Sequence, residues 1–146
     1  MASSFIDFKS KGFWIKDNIL NLTLGFLYSK MLECDLPPWA IDFRNLIKEN
    51  AAGHFYGFVD LQLDDFLTSD ERRLFFIILL DKTTQDLNKA GPGLHSTELY
   101  KRVNDCLDLK GIIIEVDRLT KVIYYLNKLV KGEILTTESD PIDYFF

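Results

Sequence analysis

The run of large apolar residues from Leu74 to Leu80 places the strongest constraint on what this chain can fold into. Wound as an α-helix, the run presents apolar side chains on every side, which is typical of a helix at the centre of a core. It is much shorter than the roughly 20 apolar residues that cross a bilayer, so we expect no transmembrane segment. The acidic pair Asp70-Glu71, with Thr68 as the cap, predicts the helix start, and Gly91-Pro92-Gly93 its end. We therefore predict a central helix over residues 69–90.

A second stretch, residues 14–34, has a helical period with little polar surface. Its apolar side chains form two rows along the helix, namely Ile15, Ile19, Leu22 and Phe26, and Leu20, Leu24, Leu27 and Met31. Pro37 and Pro38 suit the first turn of a following helix that runs to about Asn50, with Gly53 as its left-handed cap. Both helices are expected to contribute to one core.

The remaining chain is less uniform. We predict amphipathic helices from Ser96 or Thr97 to Gly111, and from a cap at Asp117 to Gly132. The β-branched run Ile112 to Ile114 between them is taken as a connector, because only the stretch near Val59 could pair with it. Residues 55–63 could form one short β-hairpin, or a loop that leads into a short helix from Leu63 to Leu67. The expected fold is a single all-α domain at residues 1–132, with five or six helices in bundle-like orthogonal or antiparallel packing. An acidic, aromatic tail at 133–146 follows it.

Size and composition agree with one compact domain. The chain has 146 residues, 47% of them hydrophobic and 27% charged, which excludes disorder as a description of the whole chain. The two cysteines, Cys34 and Cys106, are too few for a disulfide framework. No apolar stretch near the start has the length of a secretory signal. We therefore expect a cytoplasmic protein.

Acidic residues are concentrated in two segments of a chain that carries 17 basic and 22 acidic residues. This balance argues against a nucleic-acid partner, since that affinity comes mainly from phosphate neutralisation. The two segments could be solvated helix starts and a solvated tail, or a surface that binds a protein partner. On the second interpretation the predicted binding residues are Asp60, Asp64, Asp65, Asp70, Glu71, Glu138, Asp140 and Asp143.

Catalytic and metal-binding patterns are not found. His54 and His95 stand alone without the spacing of a zinc site, and Asp60, Asp64 and Asp65 do not follow a calcium loop. No phosphate-binding or nucleophile motif occurs. We expect no catalytic residue, no metal and no cofactor. The alternative that remains open is an enzyme with a dispersed site around His95 and Asp64.

Three stretches resemble a known class of proteins: Gly12 to Asp17, Leu63 to Arg72, and Val122 to Leu126. They are similar in texture to the small acidic immunity proteins that bacteria encode beside polymorphic or contact-dependent toxins. The resemblance implies a cytoplasmic, non-enzymatic inhibitor that blocks one toxin domain, and a basic, nuclease-like toxin would suit the acidic segments. A further alternative is an adaptor or regulator that binds a helix or peptide in a groove between its own helices.

Overall fold

The computed structural model describes residues 2–53, 55, 57–89, 93–95 and 113–140, with backbone alone for 93–95 and 113–114. Within these ranges the chain forms four strands and five helices. They are β1 Ser3–Phe8, β2 Lys11–Lys16, α1 Asp17–Leu32, α2 Pro38–Ala51, α3 Leu63–Phe66, α4 Asp70–Lys89, β3 Gly93–His95, β4 Ile113–Glu115 and α5 Val116–Val130. The fold is therefore mixed α/β with small sheets, and the all-α prediction is wrong.

An N-terminal β-hairpin is the main departure from that prediction. β1 and β2 pair antiparallel from Ser3 opposite Lys16 to Phe8 opposite Lys11. Lys9 and Ser10 form the turn with φ of 52° and 66°, the positive values that a tight two-residue hairpin turn requires. Such turns usually contain Asn-Gly, and a Lys-Ser turn gives no comparable signal. Residue 14 therefore lies in a strand, and the first helix begins at Asp17.

The β-branched run near residue 113 is a strand and not a connector. β4 pairs antiparallel with β3, so that Gly93 lies opposite Glu115 and His95 opposite Ile113. The glycine that we interpreted as a helix breaker also starts the partner strand. The helix predicted from Ser96 or Thr97 to Gly111 lies outside the described residues.

No strand forms over the described residues between 55 and 63, so the hairpin suggested there is wrong. Residues 58–62 are an irregular segment that leads into α3. The Asn50 side chain holds this segment by donating to the carbonyl oxygen of Asp60 at 3.2 Å. Gln62 then takes a left-handed conformation, with φ of 49°, and starts α3. Hydrogen bonds to side chains replace a strand partner here.

Helix α1 lies at the centre of the core, as predicted, and packs against α2, α4 and α5. Every residue from Ile19 to Leu27 is buried. The predicted helices at 38–50 and 69–90 are confirmed as α2 and α4. Gly53 ends α2 with φ of 77°. Ser69 and not Thr68 caps α4, because its hydroxyl accepts the Arg72 N–H at 3.2 Å.

The central apolar run on α4 is not buried all round. Phe76, Leu79 and Leu80 are buried, whereas Leu74 and Ile78 are 56% and 46% exposed. Helices α1 and α5 cover two sides of α4, and the outer side keeps large apolar groups in solvent. The described helices include none that is both long enough and apolar enough to cross a membrane.

Helix α5 ends as the sequence predicts but begins earlier. Gly132 has φ of 78°, its N–H donates to Leu129 O, and the Glu133 N–H donates to Lys128 O. This pair of bonds is the Schellman pattern that a left-handed glycine permits. The predicted cap Asp117 lies inside the helix, which starts at Val116.

The segment after α5 returns to the hairpin. The Gly12 N–H donates to the carbonyl oxygen of Thr136 at 2.8 Å, and the Thr136 hydroxyl donates to the carbonyl oxygen of Gly12. Thr136 therefore lies beside the start of β2, and Glu138, two residues later, lies beside the hairpin.

Candidate functional site

The outer face of the hairpin carries one carboxylate that the sequence analysis did not single out. In β1, Ser4, Ile6 and Phe8 are buried, and Phe5 and Asp7 point to the opposite face. Phe5 contacts Trp14 on the neighbouring strand, with 5.5 Å between ring centroids. Asp7 is the next outward residue, so it lies toward the turn from this aromatic pair.

A buried polar network positions the acidic segment next to the hairpin. The carboxylate of Asp17, 1% exposed, accepts hydrogen bonds from the Ser4 hydroxyl at 2.7 Å and from the Gly57 N–H. The Ser4 oxygen in turn accepts the Val59 N–H at 3.1 Å. Together with Asn50, these groups fix residues 57–60 against the start of β1.

Two carboxylates, Asp60 in that segment and Asp64 just after it on α3, accept hydrogen bonds from backbone N–H groups. Asp60 accepts the Gln62 N–H at 2.8 Å. Asp64, on α3, accepts the Lys9 N–H at 2.8 Å, which ties α3 to the turn of the hairpin. The Asp64 bond therefore places one carboxylate at the turn of the hairpin that carries Asp7.

The C-terminal segment adds Glu138 from the other side. Asp140 accepts hydrogen bonds from the Thr137 N–H at 2.7 Å and from the Thr137 hydroxyl at 3.2 Å. These bonds lower the pKa of Asp140, and the Lys11 charge lowers it further. The resulting turn places Glu138 at the rim of a shallow depression of 590 Å³, whose lining also includes Phe5, Asp7 and Ser10.

Asp7, Asp60, Asp64 and Glu138 form what we call the carboxylate cluster. The pKa of Asp7 is raised above its ordinary value of 3.8, first by burial and then by repulsion from Asp64, Asp60 and Glu138. Each charged neighbour that shifts it is a carboxylate. Three separate parts of the chain therefore bring like charges together around a partly buried acid. The arrangement favours any ligand that supplies positive charge.

The structure brings together some of the predicted binding residues and separates others. Asp60, Asp64 and Glu138 belong to the carboxylate cluster, and Asp65 is exposed beside Asp64 on α3. Asp70 forms an ion pair with Arg73 at the start of α4, where Glu71 is exposed. Asp140 serves as a turn cap. Asp143 lies outside the described residues. Asp7 was not predicted. The alternation of apolar Ile6 and Phe8 around it is a strand-like pattern that could have indicated an outward-facing carboxylate.

The chemistry available elsewhere in the described chain is limited. No group of three His, Cys, Asp or Glu side chains capable of holding a metal occurs among the residues whose placement is described. Cys34 is a half-buried free thiol. His54, Cys106 and the His95 side chain lie outside the described part, so an enzyme around His95 and Asp64 stays an untested alternative.

Comparison with known proteins adds no relative. No protein-family profile matches the chain, and no curated protein and no solved structure resembles it significantly.

Proposed function

We propose that this chain is a non-enzymatic, cytoplasmic immunity protein that binds a basic toxin domain of bacterial origin and occludes its active site or substrate surface. The observation that carries the proposal is the carboxylate cluster, in which Asp7 and Glu138 line one depression beside the hairpin turn that Asp64 contacts. Burial first, and then repulsion from Asp64, Asp60 and Glu138, raise the pKa of Asp7. Such repulsion disfavours the folded state of the isolated protein. A cationic partner turns this net repulsion into a net attraction, because positive charge stabilises the ionised carboxylates.

The polar network supports a binding role because it makes the surface rigid. Asp17, Ser4 and Asn50 are buried and hydrogen-bonded to the segment that carries Asp60. A surface held in place before binding loses less conformational entropy when the complex forms. Rigid presentation of charge suits an inhibitor that acts by shape and charge alone.

A basic nuclease-like toxin fits this surface better than a neutral partner. Proteins that bind nucleic acid neutralise phosphates with Lys and Arg side chains. Carboxylates at fixed positions attract the same side chains, and the net charge of −5 adds long-range attraction. A complex formed this way leaves the toxin without access to its substrate.

The test begins with the toxin domain encoded beside the gene for this chain. Added in increasing amounts, the chain should abolish the activity of that domain at one equivalent. Full protection at a small fraction of an equivalent would instead indicate catalysis, and absence of protection at excess would contradict the immunity role.

Charge reversal locates the surface. Asp65→Lys combined with Glu138→Lys should slow association with the toxin by about tenfold at low salt and weaken its salt dependence. Asp42→Lys with Glu49→Lys is the matched control, since both residues are exposed on α2 and the net charge changes equally. Equal slowing by the two pairs would mean that only net charge matters, and would remove the carboxylate cluster from the proposal.

A further inference from the structure

A groove lies on the other side of the hairpin turn from the carboxylate cluster. It has a volume of 650 Å³ and runs between the hairpin, the start of α4, the end of α5 and the segment after α5. We call it the basic-rimmed groove. Its lining includes Lys9, Lys11, Arg73, Leu74, Lys131 and Leu135.

Large apolar side chains line the groove without being covered by the described protein. Leu74 is 56% exposed and Leu135 is 75% exposed. Exposed Leu side chains of this kind forgo the stabilisation that burial of apolar surface provides. Ile77, on the same helix as Leu74, extends the apolar floor. Apolar side chains gathered in one concave site, and not scattered singly, are typical of a surface that binds another molecule.

The rim of the groove is positive although the protein is acidic. Lys9, Lys11 and Lys131 line it together with Arg73, which pairs with Asp70. Asp70 also lines the groove, but it is paired with Arg73, so the three lysines leave the lining with a net positive charge. An apolar floor with a positive rim is complementary to apolar side chains flanked by carboxylates.

The backbone holds the rim in place. Lys9 occupies the tight hairpin turn, and its N–H is bonded to Asp64. Lys131 is the C-cap of α5, immediately before the Schellman glycine Gly132. Both lysines therefore lie at turns of defined backbone conformation and line the groove, where a bound segment would meet their positive charge.

We propose that the basic-rimmed groove binds a short segment of a partner protein in which large apolar side chains alternate with Asp or Glu. This goes beyond the proposed function, because the groove requires an acidic segment whereas the carboxylate cluster requires a basic surface. A lipid bilayer is a poorer occupant. The broad, flat surface of an anionic membrane, when placed on the groove, would also approach Asp70 and the carboxylate cluster across the hairpin turn. These negative charges would repel it.

The first experiment uses a phage-displayed library of random twelve-residue peptides, selected on the whole protein. We expect the enriched sequences to contain at least two large apolar residues and two or more acidic residues. A synthetic peptide of the consensus, measured by fluorescence anisotropy, should lose at least tenfold in affinity between 50 mM and 500 mM salt. Replacement of its acidic residues by Asn or Gln should produce a similar loss.

Two pairs of variants then locate the site. Leu74→Ser with Leu135→Ser, and separately Lys9→Glu with Lys131→Glu, should each weaken the consensus peptide by tenfold or more. The matched controls are Leu32→Ser, which is also 56% exposed but does not line the groove, and Lys82→Glu with Lys89→Glu on exposed turns of α4. These controls should change the affinity less than twofold. Apart from Lys9 and Lys131, which lie in turns, the changed residues have exposed side chains on helices or on the segment after α5. Circular dichroism should confirm that every variant keeps its structure.

Three outcomes would overturn the proposal. One is a library that yields no enriched sequence, or a basic consensus. Another is binding of phosphatidylglycerol vesicles that is lost in the groove variants while peptides do not bind. The third is a concentration-dependent dimer in sedimentation that Leu74→Ser with Leu135→Ser dissociates, because the groove would then hold a second copy of this chain.

Discussion

The hydroxyl of Ser4 donates a hydrogen bond to the buried carboxylate of Asp17, with 2.7 Å between Oγ and Oδ1. This contact joins the first strand to the first turn of the central helix. The second oxygen of Asp17 accepts the Gly57 N–H, so one carboxylate fixes both the hairpin and the segment that carries Asp60.

Removal of that carboxylate should destabilise the fold and loosen the segment. Asp17→Ala leaves the buried Ser4 hydroxyl without its acceptor and breaks the hydrogen bond from the Gly57 N–H, and we expect a loss of about 2–4 kcal/mol in the free energy of unfolding. Urea unfolding measures it. Asp42→Ala, at an exposed position on α2, should change the value by less than about 0.5 kcal/mol. A loss at Asp17 as small as that of the control would mean that the network does not hold the loop.

The raised pKa of Asp7 predicts a stability effect with a defined pH dependence. Burial and neighbouring carboxylates favour the protonated form in the folded state. Its stabilisation is complete below the ordinary value of 3.8 and is lost as the pH rises through the folded-state pKa. Asp7→Asn should therefore be more stable than the natural protein at pH 7, and the difference should shrink as the pH approaches 4. Urea midpoints of both proteins at several pH values test this, with Asp42→Asn as the control. A stability difference that grows toward acid pH would show that folding does not raise the pKa of Asp7.

Glycine is required at position 12. A Cβ there would overlap the Ile6 carbonyl oxygen and lie 2.8 Å from the Ile6 carbonyl carbon and 2.9 Å from the Asp7 Cα. These are backbone atoms of the paired strand, so Gly12→Ala can be accommodated only if the strands shift apart. We expect a loss of about 3 kcal/mol and a fall in melting temperature of about 10 °C. Lys16→Ala, on the same strand with a partly exposed side chain, should shift the melting temperature far less. Similar shifts for both variants would show that the close approach is relieved at little energetic cost.

The helices were predictable because a long apolar period leaves few alternatives. Residues 17–32 and 70–89 each repeat that period over several turns, and the errors lie at the helix starts: the first helix begins at Asp17 and not at residue 14, and Ser69 and not Thr68 caps α4. The hairpin was not predictable in the same way. Phe5 is an outward aromatic that disturbs the alternation of β1, and the turn at Lys9 and Ser10 contains no glycine. Tertiary contacts with Asp64 and Thr136 supply what the local sequence does not specify.

The candidate site was predictable in composition and not in arrangement. Charge counting along the chain identified Asp60, Asp64 and Glu138, because they occur in acidic segments. It could not show that the two segments meet, nor that Asp7 lies between them, since the meeting depends on the contact of Gly12 with Thr136. The rim of the groove is even less visible in sequence, as Lys9, Arg73 and Lys131 come from three distant stretches with no common pattern.

The hydrogen bond between Thr136 and Gly12 joins residues that are 124 positions apart in the chain. Local turns and helices can form while the ribosome is still extending the protein, but a contact this distant must wait for almost all of the described chain to be synthesised. Glu138 reaches Asp7 only through that late contact. A nascent chain can thus acquire its helices early while the carboxylate cluster is still incomplete, so that the cluster is assembled only at the last stage of folding.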